Sequence, residues 1–423
     1  MGKLTAVVAG FGMRGKTYSQ MLKKLSDNTD IVAIAEPIDI RRRLAKDICG
    51  LDDDALYLDW REIAAQPKMA DFAIITLQDA GHYEAALAFI DKGYDLLLEK
   101  PIAVNPLQCK EITEAAERKG VRVVICHVLR FTNFYCAIKD IIDSGALGEI
   151  VSVECKEGVG NRHQSHSFVR GNWRNEGECT NMLVAKSCHD MDIIQWLIGK
   201  KCKKAQSFGS LTYFKAENKP AGAPARCTDG CPYADTCPYN AIKLYYDDKK
   251  NKWFRGVATL DMHDPSDEAV MKALKEGPYG RCVFSCDNDV VDHQVVNLEF
   301  EGGCTVSFSM NAFNKGGRTI SIYGTKGELN GVMGTGMLSV YTFEDRKTVE
   351  IDSKAVGNTI VSGHGGGDEG IIRDMIDYFG EGKKSRSVCD IRTSYENHLI
   401  AFAAEHSRRT GTVVDLEEFE ANI

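Results

Sequence analysis

The chain opens on a short apolar run, Leu4–Ala9, that stops at Gly10-Phe11-Gly12-Met13-Arg14-Gly15, and helix formers follow from Lys16 to Leu25. Further apolar runs stand at 31–35, 70–75, 94–98 and 121–126, separated by segments of helical composition. Strands that alternate with helices predict a doubly wound parallel sheet from Met1 to about His127. Gly93 reads as a helix stop, and Asn105-Pro106 as a helix start with proline in the first turn. Later the period changes to two. Val290–Phe300 alternates, turns at Glu301-Gly302-Gly303 and returns as Cys304–Met310, which predicts a hairpin. More strands are expected around Ser321 and over 338–343, and a last helix from about Arg392 to Arg408. A length of 423 residues exceeds one ordinary core. Two domains are therefore expected, 1–128 and 129–423.

The first glycines make a G-x-G-x-x-G turn between a strand and a helix. Gly10 permits the tight turn, Gly12 lets a pyrophosphate approach, and Gly15 lets helix and strand pack closely. Phe11, Met13 and Arg14 belong to the same turn, and the helix start offers free N–H groups to phosphates. Glu36 ends the next strand, 21 positions past Gly15 (36 − 15), where an acid holds ribose hydroxyls. A carboxylate there favours NAD over NADP, although one of Arg41, Arg42 and Arg43 could reach a 2′-phosphate. Thr76 and Gln78, at another strand end, face the cofactor side. His82 is either a further cofactor contact or a helix cap. Tyr94–Leu98 reads as a buried strand that ends in Glu99-Lys100-Pro101, and Lys100 is expected where a nicotinamide meets a substrate hydroxyl.

A formal charge of -8 with no basic stripe argues against a nucleic-acid binder. No apolar run approaches a membrane span, and the N-terminus has no signal-peptide pattern, so a cytoplasmic location is expected. Fifteen cysteines are many. Most stand singly on apolar segments, as small buried hydrophobes do in a reducing compartment. Cys227, Cys231 and Cys237 differ, in a C-x3-C-x5-C cluster after a Gly/Pro linker, within an insertion over about 220–286. With Cys282 or Cys286 as a fourth ligand they suggest a structural zinc that staples a loop too small to pack alone. An iron–sulfur cluster or unligated thiols are the alternatives.

Taken together, these pieces resemble the Gfo/Idh/MocA oxidoreductase family. The resemblance rests on residues 10–15, Glu36-Pro37, Glu99-Lys100-Pro101-Ile102-Ala103, and Arg130 with Phe134-Tyr135. Residues 145–150, His189-Asp190-Met191-Asp192-Ile193-Ile194, Gly324-Thr325-Lys326-Gly327 and Glu405-His406-Ser407 agree as well. It implies a Rossmann domain followed by an α/β domain on a large, mostly antiparallel open sheet, through which a homodimer or homotetramer forms. It also implies NAD(P)-dependent chemistry on sugars, cyclitols and related polyols. The family's lysine and histidine fall on Lys100 and His189. Its aspartate falls on Ala185, with Lys186 next door.

Oxidising a secondary alcohol needs an acceptor for the hydroxyl proton and a donor for the developing oxyanion. Lys100 is the expected donor, its pKa lowered by a cationic nicotinamide, and His189 the expected base. Lys186 sits against the helix dipole and is a candidate to act for the missing aspartate. Asp192, three residues past His189, could orient it or bind a sugar hydroxyl. Trp173 and Arg170, in the polar, aromatic segment 163–174, are candidate substrate contacts. His364, in Ser362-Gly363-His364-Gly365-Gly366-Gly367-Asp368, is another, and Asp368 is a candidate helix cap. The expected activity is hydride transfer to or from a secondary hydroxyl of a sugar, cyclitol or glycoside. The alternative is an NAD-dependent glycoside hydrolase or lyase that works through a transient ketone.

Overall fold

The computed structural model describes residues 3–355 and 366–423. Its first sheet contains β1 (Leu4–Ala9), β2 (Thr29–Ala35), β3 (Leu56–Tyr57), β4 (Phe72–Ile75), β5 (Asp95–Leu98) and β6 (Val123–Ile125). All pairs are parallel, in the order β3-β2-β1-β4-β5-β6. Only the two-residue β3 had no signal in the sequence, being too short for any period. The strands are apolar throughout because both faces are covered. Val7, Ala9, Leu96 and Leu98 enter one core, and Val8, Ile74, Leu97 and Val124 the other. Connections reverse direction beside β1, so the crevice at the carboxyl ends of β1 and β4 is the natural ligand site.

The second core also takes in the Gly367–Glu381 helix, through Ile371, Ile372 and Met375. That helix starts at Gly366, which has φ 93°, with no side-chain cap. Asp368 is therefore not the cap expected; it accepts from Arg14 at 2.7 Å instead. His364 lies outside the described residues.

The second sheet contains β7 (Ile150–Gly158), β8 (Cys202–Ser210), β9 (His293–Phe300), β10 (Thr305–Asn311) and β11 (Gly317–Gly324). It is completed by β12 (Gly327–Val332), β13 (Met337–Thr342), β14 (Lys347–Asp352) and β15 (Val414–Asp415). The order is β14-β13-β12-β11-β7-β10-β9-β8-β15, antiparallel except between β7 and β10. The expected hairpin is β9 and β10, joined through Glu301–Gly303. Alternate residues of β9 are buried and exposed, so one face is covered and the other is open. The covered face carries the Met182–Ile198 and Ile391–Thr410 helices.

Between β8 and β9 runs the long segment 211–292, which contains the cysteine cluster. It is more than a stapled loop. Helices at Lys252–Thr259 and Asp267–Glu276 bury a small core of their own, with Leu244, Tyr245, Phe254, Val270 and Leu274. The Gln164–Arg170 part of the polar, aromatic segment is a buried π-helix. His166 stacks on Phe254 there, ring centroids 4.1 Å apart.

Candidate active site

The three glycines of the first turn are required for different reasons. Gly10 has φ +91°, and a Cβ on it would meet the Thr76 carbonyl oxygen at 2.8 Å. A Cβ on Gly15 would fall 2.2 Å from the Gly10 oxygen. Gly12 has an ordinary φ of -71°. Its Cβ would meet nothing nearer than an Arg41 nitrogen at 3.8 Å, so the protein itself does not demand glycine there. The space beside it, above a helix start that no side chain caps, fits a dinucleotide pyrophosphate. We expect Gly12→Val to fold normally yet weaken NAD binding by about tenfold or more, since the branched side chain fills the approach to the backbone. Fluorescence titration of the nucleotide checks this.

The neighbouring candidates are largely held by the protein. Thr76 Oγ1 donates to the Gly10 carbonyl at 2.7 Å and locks the turn. Glu36 is buried and accepts from the Phe11 and Ile38 backbone N–H groups at 2.7 and 2.9 Å. Arg42 and Arg43 pair with Asp39, which leaves Arg41 as the arginine beside Gly12. Arg14 turns away from the phosphate side. It donates to Glu99 at 2.6 Å and to Asp368, and its guanidinium lies over Tyr18. Glu99 is buried by these contacts and acts as an anchor. His82 is also buried, bridging the Pro101 and Leu77 carbonyls at 2.7 and 3.2 Å. It therefore ties the loop after β4 to the lysine turn. The segment between β8 and β9 reaches this region as well. Lys16 Nζ donates to the Met262 carbonyl at 2.8 Å, and Arg41 Nε to that of Leu260 at 3.3 Å.

Lys100 stands just past β5. Its ammonium donates to the Ala185 carbonyl at 2.9 Å, on the first turn of the Met182–Ile198 helix. The lysine thus meets the backbone of the residue that replaces the family's aspartate. Burial favours its neutral amine, but Cys188, Asp79 and Glu99 outweigh this and hold the pKa above its ordinary value. Cys188 is itself pushed up to about 12 by burial, so the anions facing Lys100 at neutral pH are Asp79 and Glu99. The sequence reading expected a lowered value; that lowering requires the cofactor's own charge.

Lys186 and His189 lie on the same helix, both partly exposed. Burial pulls the Lys186 pKa down, Glu157 opposes this, and Arg318 and Lys100 add to it. Lys186 Nζ is 3.4 Å from Glu157, whose carboxyl is raised, chiefly by burial. Arg318 completes the cluster, donating to Asp190 at 2.7 Å and lying 2.8 Å from Glu157 as an ion pair. His163 also faces it: burial holds its pKa well below the ordinary value, with Lys186 and Lys100 contributing. His163, Glu157, Asp190, Arg318 and Asp79 had no assigned role in the sequence. Glu157 and Arg318 are paired across β7 and β11, a contact between distant segments that no local pattern reveals.

Two candidates fall elsewhere. Asp192 is fully buried, bonded by Arg130 at 2.7 and 2.8 Å and by Asn397 at 2.5 Å. The ion pair outweighs the effect of burial and keeps its pKa low. It faces inward to His127, so a sugar hydroxyl cannot reach it. Arg170 is also buried, donating to the Arg281 and Tyr239 carbonyls at 2.8 and 2.7 Å, toward the cysteine cluster. Trp173 is half-buried beside the segment that follows β4. Its indole N–H donates to Asp79 at 2.9 Å, while Asn172 reaches Gln78 at 3.3 Å.

A dinucleotide turn, a lysine at the tip of a parallel strand and a helix of titrating groups above it define an NAD-binding oxidoreductase. The family model for the NAD-binding Rossmann fold of this oxidoreductase family matches residues 4–127, and that for its C-terminal α/β domain matches 139–416. The chain belongs to the Gfo/Idh/MocA oxidoreductase family. YteT of Bacillus subtilis (strain 168), named as an oxidoreductase, is 24% identical over 322 residues, 72% of each chain. Inositol 2-dehydrogenase of Salmonella paratyphi B (strain ATCC BAA-1250 / SPB7) is 26% identical over 206 residues, 48% of this chain and 57% of that one. Two solved structures share the fold. An Agrobacterium radiobacter oxidoreductase in complex with NAD+, L-tartaric acid and magnesium has a TM-score of 0.71 at 14% identity, over 99% of both chains. Levoglucosan dehydrogenase with NADH and levoglucosan has 0.72 at 18%, over 98% of this chain and 99% of that one. Among the described residues no helix is long and apolar enough to cross a membrane, and no disulfide joins the cysteines.

Proposed function

We propose that the chain transfers a hydride to or from a secondary hydroxyl of a sugar, cyclitol or glycoside, with NAD as the preferred cofactor. The observation that carries this reading is the 2.9 Å bond from Lys100 to the Ala185 carbonyl. It brings the ammonium at the sheet edge against the helix of Lys186 and His189. The bound nicotinamide supplies the hydride acceptor or donor. Lys100 holds the substrate oxygen and stabilises the charge that develops on it. His189 takes the hydroxyl proton. Lys186, with its lowered pKa, serves as a second proton carrier where relatives place a carboxylate. Asp79 orients Trp173 beside the substrate. The exposed face of the second sheet, with Phe208 and Val295, supports a homodimer formed there.

The test is a panel of free sugars, aryl glycosides and inositols offered with NAD or NADP and followed at the nicotinamide absorbance. Reduced cofactor that accumulates with a polyol supports the proposal. A second reading is glycoside cleavage through a transient ketone, with no net redox change. Ala185 in place of the acid, next to a lysine of lowered pKa, favours it. Release of the aryl group without accumulating NADH would select that reading, and silence across the panel would reject both.

A further inference from the structure

A cluster of four charged side chains joins the Met182–Ile198 helix to the second sheet. Glu157 is buried at the penultimate position of β7. Its Oε1 lies 3.4 Å from Lys186 Nζ, and its Oε2 lies 2.8 Å from Arg318 Nε. The two oxygens are held differently. The Arg318 Nε–H is spent on Asp190 at 2.7 Å, and Nη2 donates to Asp190 as well, at 3.2 Å. Among the described residues Glu157 Oε2 therefore has no hydrogen-bond donor, although it is buried. A buried carboxylate oxygen that feels a cation but receives no hydrogen bond is costly in its charged form, and uptake of a proton relieves that cost.

Exposure separates the two partners. The Lys186 side chain is 19% exposed and that of Glu157 3%, so a substrate meets the lysine and not the acid. The first turn of the lysine's helix carries no acidic residue, and Ala185 offers Lys100 only a backbone carbonyl. The acid paired with Lys186 comes instead from another element, 29 positions away (186 − 157). The other charges that face the pair are Arg318 on β11, Asp190 on the helix itself, Lys100 past β5 and His163 after β7. Tyr135 approaches too, but burial keeps its phenol protonated. Burial raises the Glu157 carboxyl and lowers Lys186, which brings their proton affinities toward each other.

We propose that Glu157 is the positioning residue for Lys186, supplying from β7 the carboxyl that the first turn of the helix lacks. This rests on the reading of Lys186 as a proton carrier. In the resting pair one proton is shared between the amine and the carboxylate, 3.4 Å apart. With that proton on Glu157, Lys186 is a free amine that takes the proton of a substrate hydroxyl, after which the pair carries two. Arg318, fastened to Asp190, keeps Glu157 in place beneath the lysine without donating to it.

Lys186 is titrated without substrate, by trace acetylation of the full chain with acetic anhydride over a pH series and mass spectrometry of the peptide that carries it. Exposed Lys250 in the same digest is the reference. The parent is compared with Glu157→Gln, which keeps the side chain's shape and removes its charge. The Lys186 labelling midpoint is expected to fall by about one pH unit or more, the shift that an opposite charge a few ångströms away exerts. An unmoved midpoint in the folded variant makes the cluster a brace between helix and sheet and overturns the proposal. If Glu157→Gln does not fold, Glu157→Asp, which keeps the charge but withdraws it by one carbon, is expected to lower the midpoint by a smaller amount. No movement there overturns the proposal equally. The pH dependence of kcat with the polyol found by the panel tests the reading beneath. A limb that moves with the labelling midpoint supports both. A midpoint that moves beside an unchanged pH profile supports the assignment of Glu157 and rejects Lys186 as a proton carrier.

Discussion

Lys100→Met lowers kcat/KM about 1,000-fold, within the range that one positioned proton-handling or oxyanion-stabilising group supplies. The substitution keeps the side chain's length and apolar stem, so the lining of the crevice survives. What is lost is the ammonium. Without it the substrate oxygen has no donor as charge develops, and Ala185 loses its 2.9 Å partner. Nucleotide affinity is expected to stay near that of the parent, because the Gly10–Gly15 turn does not use Lys100. Steady-state kinetics with the polyol found by the panel, beside a nucleotide titration, separates the two effects. A loss below about tenfold would remove Lys100 from the chemistry.

The second large effect concerns acid. His127, His166 and His398 are buried and neutral, with pKa values lowered by burial from 6.5 to about 4, about 3 and about 3. For His398 the neutral form is written into the hydrogen bonds. Nδ1 donates to the Ser394 carbonyl at 2.7 Å, and Nε2 accepts from the Ile102 N–H at 3.1 Å. A second proton would set two N–H groups against each other. The folded pKa values lie below the unfolded ones, so between them the unfolded chain binds more protons. The contribution is complete above about pH 6.5 and is lost as pH falls toward 4. For His127 alone the drop to about 4 amounts to about 3 kcal/mol. Asp192 and Glu99 have lowered pKa values, so their contributions are lost only below the ordinary carboxylate range, beneath both pH values compared here. Urea unfolding at about pH 7.5 and about pH 5 should differ by several kcal/mol, and His398→Gln should reduce that difference. Equal stability at the two pH values would show that the histidines are not buried neutral.

The parts of this chain that were legible beforehand are those governed by short-range pattern. The first sheet's strands were readable because their apolar runs are continuous, and the β9–β10 hairpin because its period is two. The glycine turn and Lys100 were readable because strand, turn and helix occur in one short stretch. Illegible were contacts between distant segments. Arg130 with Asp192, Arg318 with Glu157, and Arg14 with Asp368 pair residues 62, 161 and 354 positions apart (192 − 130, 318 − 157, 368 − 14). Asp192 looked available because helix spacing sets it near His189, yet the helix turns it inward to Arg130. Arg170 reads as a substrate contact because it stands in the polar, aromatic segment 163–174. Its segment winds as a π-helix, and its charge is spent on carbonyls and sulfur.

The hold of the segment between β8 and β9 on Lys16 and Arg41 has a consequence for the glycine turn. Lys16 lies in the helix after Gly12 and Arg41 beside Gly12, and both are fastened to carbonyls at 262 and 260, 246 and 219 positions away. The rim of the turn is thus shared between two distant stretches of chain, and a change at 260–262 should be felt at Gly12.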